Sequence, residues 1–401
     1  MTEAPSGVVL VIDGLGIGAM PDVPHSRPQD TGADTLARVR AAGSLLLPAL
    51  DGLGLAAAAG GGATPEIVGR WGRASLGYEG ADSYMGHLEL MGGDLSGIRV
   101  EPFGVARARY AAAFRAAGHS VRDVGTALLL DEAVLVGDSL EADLGLNYNV
   151  TGCLPLVPWT TIIGLAEQLR GLAPVSRIIA VGGTAIGRDE LLASVHERDG
   201  ASGVDTRELG VYRTGVEIRH LGAPIDAAGQ LHLAAAARGR SVLLVGKAAD
   251  LLPGDGMDRL PAVDTGEVLA ATLDAVGDRT HDLVVANVQQ TDLAGHQADA
   301  AWFARLLGQV DEAVSTLLER QRPSDLLVVT SDHGNDPGHG SRHTRERVPV
   351  LAHAPGVGGG PIGDRSTLAD VGATVAAWLG LPEDPAGRTF IEPSALPRPW
   401  G

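Results

Sequence analysis

Apolar residues along the chain gather into short β-branched runs that stop at polar side chains. Residues 8–12 end at Asp13, 242–245 end near Lys247, 283–288 end near Asp292, and 326–330 end at Asp332. Between them lie Ala/Leu-rich stretches with helical spacing, at 225–238, 268–276, 301–319 and 367–379. Strand-like and helix-like segments in alternation predict an α/β fold with a mainly parallel sheet flanked by helices. In such sheets ligands bind at the carboxyl ends of the strands. Four strand ends carrying Asp, Lys, Asp and Asp-His are therefore expected to converge on one site. The middle of the chain alternates in the same way, with pieces at 106–117, 134–136, 162–170 and 178–181, but none of them ends in metal-type side chains. The expected organisation is a core of residues 1–99 and 223–401 interrupted by a smaller inserted α/β domain, 100–222.

Composition narrows the function. The 401 residues carry a formal charge of −18, which argues against a nucleic-acid partner or an anionic membrane surface, since both need a basic face. Cys153 is the only cysteine, so an intrachain disulfide and a cysteine-based zinc site are both excluded. The opening MTEAPSGVVL has no basic flank or cleavage pattern, and the longest apolar stretch, 44–59, is broken by Pro48, Asp51 and two glycines. A cytoplasmic protein without a membrane partner is expected; the sequence does not indicate an oligomeric state. Arginine outnumbers lysine 30 to one. Arginine replaces lysine readily on a solvated surface but not where a compact ammonium must fit a tight site, so the lone Lys247 is itself a candidate functional residue.

Three segments hold carboxylates and imidazoles at spacings suited to a binuclear metal site. They are Asp13, then Asp292-Leu-Ala-Gly-His296, then Asp332-His333-Gly-Asn335 followed by His343 in His-Thr-Arg-Glu. Taken singly, each has a plain structural explanation: aspartates at strand ends cap helices, and buried histidines bond to the backbone. Six together favour two divalent ions. Oxygen and nitrogen ligands without sulfur suit Mn2+ or Zn2+ better than Mg2+. Ser83, in Asp82-Ser-Tyr-Met-Gly-His87, is the nucleophile candidate. A serine at a helix N-terminus faces free N–H groups and the positive end of the dipole, a natural seat for a phosphoryl group, and a neighbouring cation would ease loss of its proton. Asp82 or Ser83 would also serve as the helix cap.

Taken in chain order, the strand ending at Asp13, the Ser83–His87 segment, Asp-Leu-Ala-Gly-His and Asp-His-Gly-Asn…His-Thr-Arg-Glu resemble the alkaline phosphatase superfamily. Residues 13–22 and 332–346 are most similar to the phosphopentomutases, with a relation to the cofactor-independent phosphoglycerate mutases as well. The resemblance covers roughly residues 7–104 and 223–380 and implies an alkaline-phosphatase-like core with the insert as a cap. By motif, Asp292, His296 and His343 would hold one ion, and Asp13, Asp332, His333 and the Ser83 oxygen the other. His339 is a rival for the place of His343, which stands in the His-Thr-Arg-Glu context the family uses. The family uses two Mn2+ ions and carries a phosphorylated Thr or Ser at the position of Ser83. It implies an isomerase that exchanges sugar 1-phosphate and 5-phosphate (ribose or a related sugar), with a sugar bisphosphate as activator. Lys247 or Arg345 would neutralise phosphoryl charge, and Arg213 would clamp substrate phosphate from the cap. The serine, Asn335 and the four-residue step from Asp292 to His296 lean toward the phosphoglycerate mutases. The competing readings on the same core are a metal-dependent phosphatase or phosphodiesterase and a phosphoglycerate-mutase-type enzyme.

Overall fold

The structure, a computed structural model, describes residues 4–43, 45–63, 66–140, 143–183, 187–198, 200–204, 216–224, 229–381, 386–392 and 395. Two compact units divide the chain. The first comprises Met1–Gly77, Ala81–Leu95 and Ile225–Gly401, and the second comprises Tyr78–Gly80 and Ser96–Pro224.

Among the described residues of the first unit, eight strands form one sheet. Their order is Asp258–Leu260, Val242–Gly246, Leu283–Val288, Ser6–Ile12, Asp325–Thr330, Val348–His353, Arg70–Ala74, Gly360–Arg365. The first five run parallel, with Val8 opposite both Val284 and Leu327. Val348–His353 is antiparallel to both of its neighbours. The central strands are buried along their whole length, which is why they read as unbroken apolar runs rather than alternating ones. Val8, Leu10 and Ile12 pack on one face with Phe303, Leu307, Val310 and Val314 of the helix Ala300–Arg320. Gly7, which points to the other face, lies against Val375 of the helix Ala369–Trp378.

The four strands expected to carry chemistry are thus consecutive neighbours, and their carboxyl ends deliver Lys247, Asp292, Asp13 and Asp332 in that spatial order. The helices differ at their ends from the sequence expectation. The C-terminal one starts at Ala369 rather than Thr367, because the Thr367 hydroxyl donates to Glu89 and accepts from the Ala369 N–H. The helix expected over 225–238 spans Leu231–Ala237, and residues 225–228 lie outside the described residues.

In the second unit the strand order is Val216–Gly222, Arg177–Gly183, Asn147–Cys153, Val134–Asp138, Ala127–Leu130, Val121–Val124. Among the described residues of this sheet only Asn147–Cys153 and Arg177–Gly183 pair in parallel. The remaining pairs are antiparallel, so this sheet is largely a meander. Helices Phe103–Ala116 and Trp159–Arg170 cover one face through Tyr110, Phe114, Ile162 and Leu165, packed on Tyr148 and Val150. Residues 78–80 group with this unit: Glu79 accepts from the Val100 N–H, and Gly80 rests against Leu146. Among the described residues no helix is long and apolar enough to cross a membrane.

Candidate metal centre

Each candidate side chain is placed by a short-range feature of its own segment. Asp13 follows directly on the strand Ser6–Ile12, and its backbone carbonyl accepts the Thr291 hydroxyl at 2.7 Å. Asp292 and His296 sit one turn apart on the helix Gln290–His296. Ser83 is the first residue of the helix Ser83–Leu90. Asp82 is the cap: its carboxylate accepts the Met85 N–H at 3.0 Å, which leaves the serine hydroxyl free for other partners. The same helix runs against the Asp332 segment, and a Cβ on Gly86 would lie 2.4 Å from the Asp332 carbonyl oxygen. Lys247 follows Gly246, whose φ of +68° turns the chain out of its strand.

The side chains form two groups, Asp292 with His296 and His343, and Asp13 with Asp332 and His333; within each group the ligand atoms lie within 4.8 Å of one another. All three imidazoles share one arrangement. Their Nδ1 atoms face backbone carbonyls: His296 that of Ser341 at 2.8 Å, His333 that of Gly334 at 3.0 Å, and His343 that of Ala81 at 3.2 Å. A carbonyl accepts only, so each Nδ1 carries a hydrogen, and in the neutral ring Nε2 would present a lone pair inward. This is the outer-shell geometry that orients metal-binding histidines.

Two further features fit a cation. Nε2 of His296 and Nε2 of His343 converge to 3.2 Å of one another. Among the described residues Oδ1 of the fully buried Asp13 has no hydrogen-bond donor, and it lies 3.5 Å from His333 Nε2. With no thiolate present, this donor set suits a divalent ion of the Mn2+ or Zn2+ type.

Lys247 and Ser83 join the two groups. The ammonium donates to Asp13 Oδ2 at 2.8 Å, to Ser83 Oγ at 2.8 Å and to Asp292 Oδ2 at 3.2 Å. The serine hydroxyl in turn meets His333 Nε2 at 2.7 Å. The electrostatics follow from crowding. Burial, reinforced by the charge of Asp332, pushes the Asp13 carboxyl up to about 7, with Lys247 opposing it. Burial works the same way on Asp332, but His333 and His87 outweigh it and hold that carboxyl below its usual range. Asp292 is likewise held well below the usual range, because Lys247 and His343 overcome its burial. Burial alone would lower Lys247; the attraction of Asp13, Asp292 and Asp332 raises it instead, so the ammonium stays charged.

Residues 223–383 match the Metalloenzyme superfamily. The phosphopentomutase of Anaeromyxobacter dehalogenans is 33 % identical over 394 residues, covering 96 % of this chain and 97 % of the relative. That of Methylobacterium radiotolerans is 34 % identical over 415 residues, covering 96 % and 99 %. The chain belongs to the phosphopentomutase family. It is an enzyme of that family's kind, a metal-dependent phosphomutase. A phosphoglycerate mutase structure from Leishmania mexicana superposes with a TM-score of 0.50 at 13 % identity, over 97 % of this chain and 98 % of that one. The likeness is one of fold, an α/β architecture with helices flanking the sheets.

His339 bonds to Asp336 at 3.0 Å and to the Thr31 carbonyl at 3.3 Å, whereas His343 stands with Asp292 and His296. Arg345 is buried; its Nε donates to Asp22 at 2.8 Å, its guanidinium reaches the Leu76 carbonyl, and its backbone N–H donates to Asp30. These bonds join loops, whereas the bonds of Ser83 Oγ go to Lys247 and His333. Arg213 lies outside the described residues.

Sequence reasoning left two phosphopentomutase-site neighbours without a role. His87 Nδ1 lies 2.8 Å from the Ser83 carbonyl and 3.2 Å from Asp332 Oδ2, while its Nε2 meets the Asn287 amide at 3.0 Å. Asn335 Nδ2 donates to Asp292 Oδ1 at 2.8 Å. The available signal for His87 was its position one helical turn after Ser83; for Asn335 it was the residue directly after Asp-His-Gly.

Proposed function

We propose that the protein interconverts sugar 1-phosphate and sugar 5-phosphate, on ribose or a related pentose, through a phosphorylated Ser83 and two divalent ions, Mn2+ in preference to Zn2+. The observation that carries this reading is the placement of Ser83 Oγ. It lies at a helix N-terminus, 2.8 Å from the only lysine and 2.7 Å from an imidazole of one ligand group.

Asp292, His296 and His343 would hold one ion, and Asp13, Asp332, His333 and the serine oxygen the other. The ions would supply Lewis-acid stabilisation of the phosphoryl oxygens and ease ionisation of the serine hydroxyl. In the first half-reaction the bond from phosphorus to Oγ of phospho-Ser83 breaks as the free hydroxyl oxygen of the pentose monophosphate bonds to phosphorus. The product is a pentose bisphosphate, and Lys247 Nζ compensates the charge left on Oγ. In the second half-reaction the other phosphoryl group of the bisphosphate passes to Oγ. The sugar oxygen released there takes up a proton equivalent to the one lost in the first step, so the net change is an isomerisation that consumes no water. A sugar bisphosphate would activate unphosphorylated enzyme by the same route. Water must be kept from the phosphoserine throughout, and we assign that task to the second unit.

Phosphorus NMR of the enzyme with ribose 1-phosphate and Mn2+ tests the reading. Ribose 5-phosphate should accumulate without inorganic phosphate. Release of inorganic phosphate alone would make the protein a hydrolase, and turnover of phosphoglycerate in place of either pentose phosphate would make it a phosphoglycerate mutase.

A further inference from the structure

Glu346, the last residue of His-Thr-Arg-Glu, is fully buried and has no basic partner among the described residues. Its carboxylate gathers four donors. Oε2 accepts the backbone N–H groups of Gly18 at 3.1 Å and Thr35 at 2.9 Å. Oε1 accepts the hydroxyls of Thr35 and Thr344, each at 2.6 Å. The direction of those two hydroxyl bonds follows from their other partners. Thr35 Oγ1 accepts the Asn335 N–H at 3.2 Å and Thr344 Oγ1 accepts the Asp336 N–H at 3.1 Å, so both hydroxyl hydrogens are left for Glu346.

Two glycines in the ligand motifs make room for this carboxylate. A Cβ on Gly16 would lie 2.2 Å from Glu346 Oε2, and one on Gly334 would lie 2.5 Å from Oε1. Gly16 is three residues beyond Asp13, Gly334 directly follows His333, and Thr344 directly follows His343. The chain reaches the second ligand group by one more step: the Thr35 hydroxyl that donates to Glu346 accepts from Asn335, whose amide donates to Asp292 Oδ1.

We propose that Glu346 is a positioning residue for both ligand groups: its acceptor-only carboxylate pins the segments that carry Asp13, Asp332, His333 and His343, and acts on Asp292 through Thr35 and Asn335. This rests on the reading that the two groups hold metal ions. Groups behind the direct ligands commonly set metal affinity by about 10–100-fold. Neither a glutamine nor a smaller acid reproduces four acceptor positions at this distance.

The test is calorimetric titration of Mn2+ into metal-free wild type, Glu346→Gln, Thr344→Val and Thr344→Ser, with circular dichroism to establish folding. Glu346→Gln should bind both ions about 10–100-fold more weakly, Thr344→Val should shift in the same direction, and Thr344→Ser, which keeps the hydroxyl, should stay within about twofold of wild type. Asp311→Asn removes an unrelated buried carboxylate that accepts the Leu50 N–H at 2.8 Å, and it should leave Mn2+ affinity unchanged. Folded Glu346→Gln and Thr344→Val proteins that bind both ions as wild type does would overturn the proposal while leaving the metal reading intact. Should Glu346→Gln fail to fold, the Thr344 pair decides. Wild type that takes up no ions would remove the metal reading itself, and this inference with it.

Discussion

At the scale of single residues the site turns on two atoms, Ser83 Oγ and Lys247 Nζ, 2.8 Å apart. Ser83→Ala removes the acceptor of the phosphoryl group but neither full ligand group, so intact-protein mass spectrometry should show no phosphorylated form while metal content stays at the wild-type value. A phosphate retained by the variant would move the nucleophile elsewhere. Lys247→Arg keeps the charge but places a planar guanidinium where a point ammonium contacts two carboxylates and a hydroxyl. Turnover should fall by roughly 10²-fold or more, the scale expected when one preorganised electrostatic group is lost, and a rate within threefold of wild type, on the order of 0.7 kcal/mol, would return Lys247 to an ordinary ion-pair role. The gathering of the six candidate carboxylates and imidazoles was legible because Asp13 and Asp332 closely follow strands and Asp292 and His296 share the helix after a third. His87 and Asn335 were not, because their importance lies in what they touch, and a hydrogen bond between residues 43 or more positions apart leaves no spacing signal.

At the scale of elements, the helix Ser83–Leu90 links Ser83 to the rest of the first unit. Glu89, near its end, is buried and accepts from the Gly77 N–H and the Thr367 hydroxyl. Burial pushes its carboxyl from 4.5 up to about 7, against these bonds. A carboxyl whose folded value is raised binds its proton more tightly in the folded state. Its contribution to stability is therefore complete below about pH 4.5 and is lost as pH rises through about 7. Glu89→Gln should give an unfolding free energy that changes less between pH 5 and 8 than wild type's, by on the order of 2–3 kcal/mol; parallel pH curves from denaturant titrations would refute the assignment. Helix ends were the least legible elements for the same kind of reason. Thr367 reads as helical by local pattern, yet its hydroxyl is drawn off by Glu89 from 278 positions away in the chain.

At the scale of the whole molecule, the parallel core was readable because a strand buried on both faces leaves an unbroken apolar run, and four of them end at charged residues. The mainly antiparallel sheet of the second unit was not. Its short strands are consistent with either pairing, and a connecting helix does not decide between them: Trp159–Arg170 separates the parallel Asn147–Cys153 and Arg177–Gly183, while Arg188–Ala193 lies between the antiparallel Arg177–Gly183 and Val216–Gly222. One candidate group joins the two ends of the chain, Asp13 with Asp332 and His333, and the other joins two segments of its C-terminal half, Asp292 and His296 with His343. Removing divalent ions should therefore lower global stability rather than loosen one loop. At an ion concentration about 100 times the dissociation constant, each ion should contribute about 2.7 kcal/mol. Thermal unfolding with and without a chelator reads this directly, and an unchanged midpoint would mean that the ions do not bind the folded chain.

A chain with a single lysine also offers a single primary amine on its side chains, and here that amine sits between Asp13, Asp292 and Ser83 with 16 % of its side chain exposed. Apart from the α-amino group, an amine-selective acylating reagent has only this target. Its neighbours keep it protonated and unreactive, so labelling should be slow in the folded protein and should become rapid when the fold opens. The extent of acylation at Lys247 would then report local opening of the site one molecule at a time, without any engineered probe.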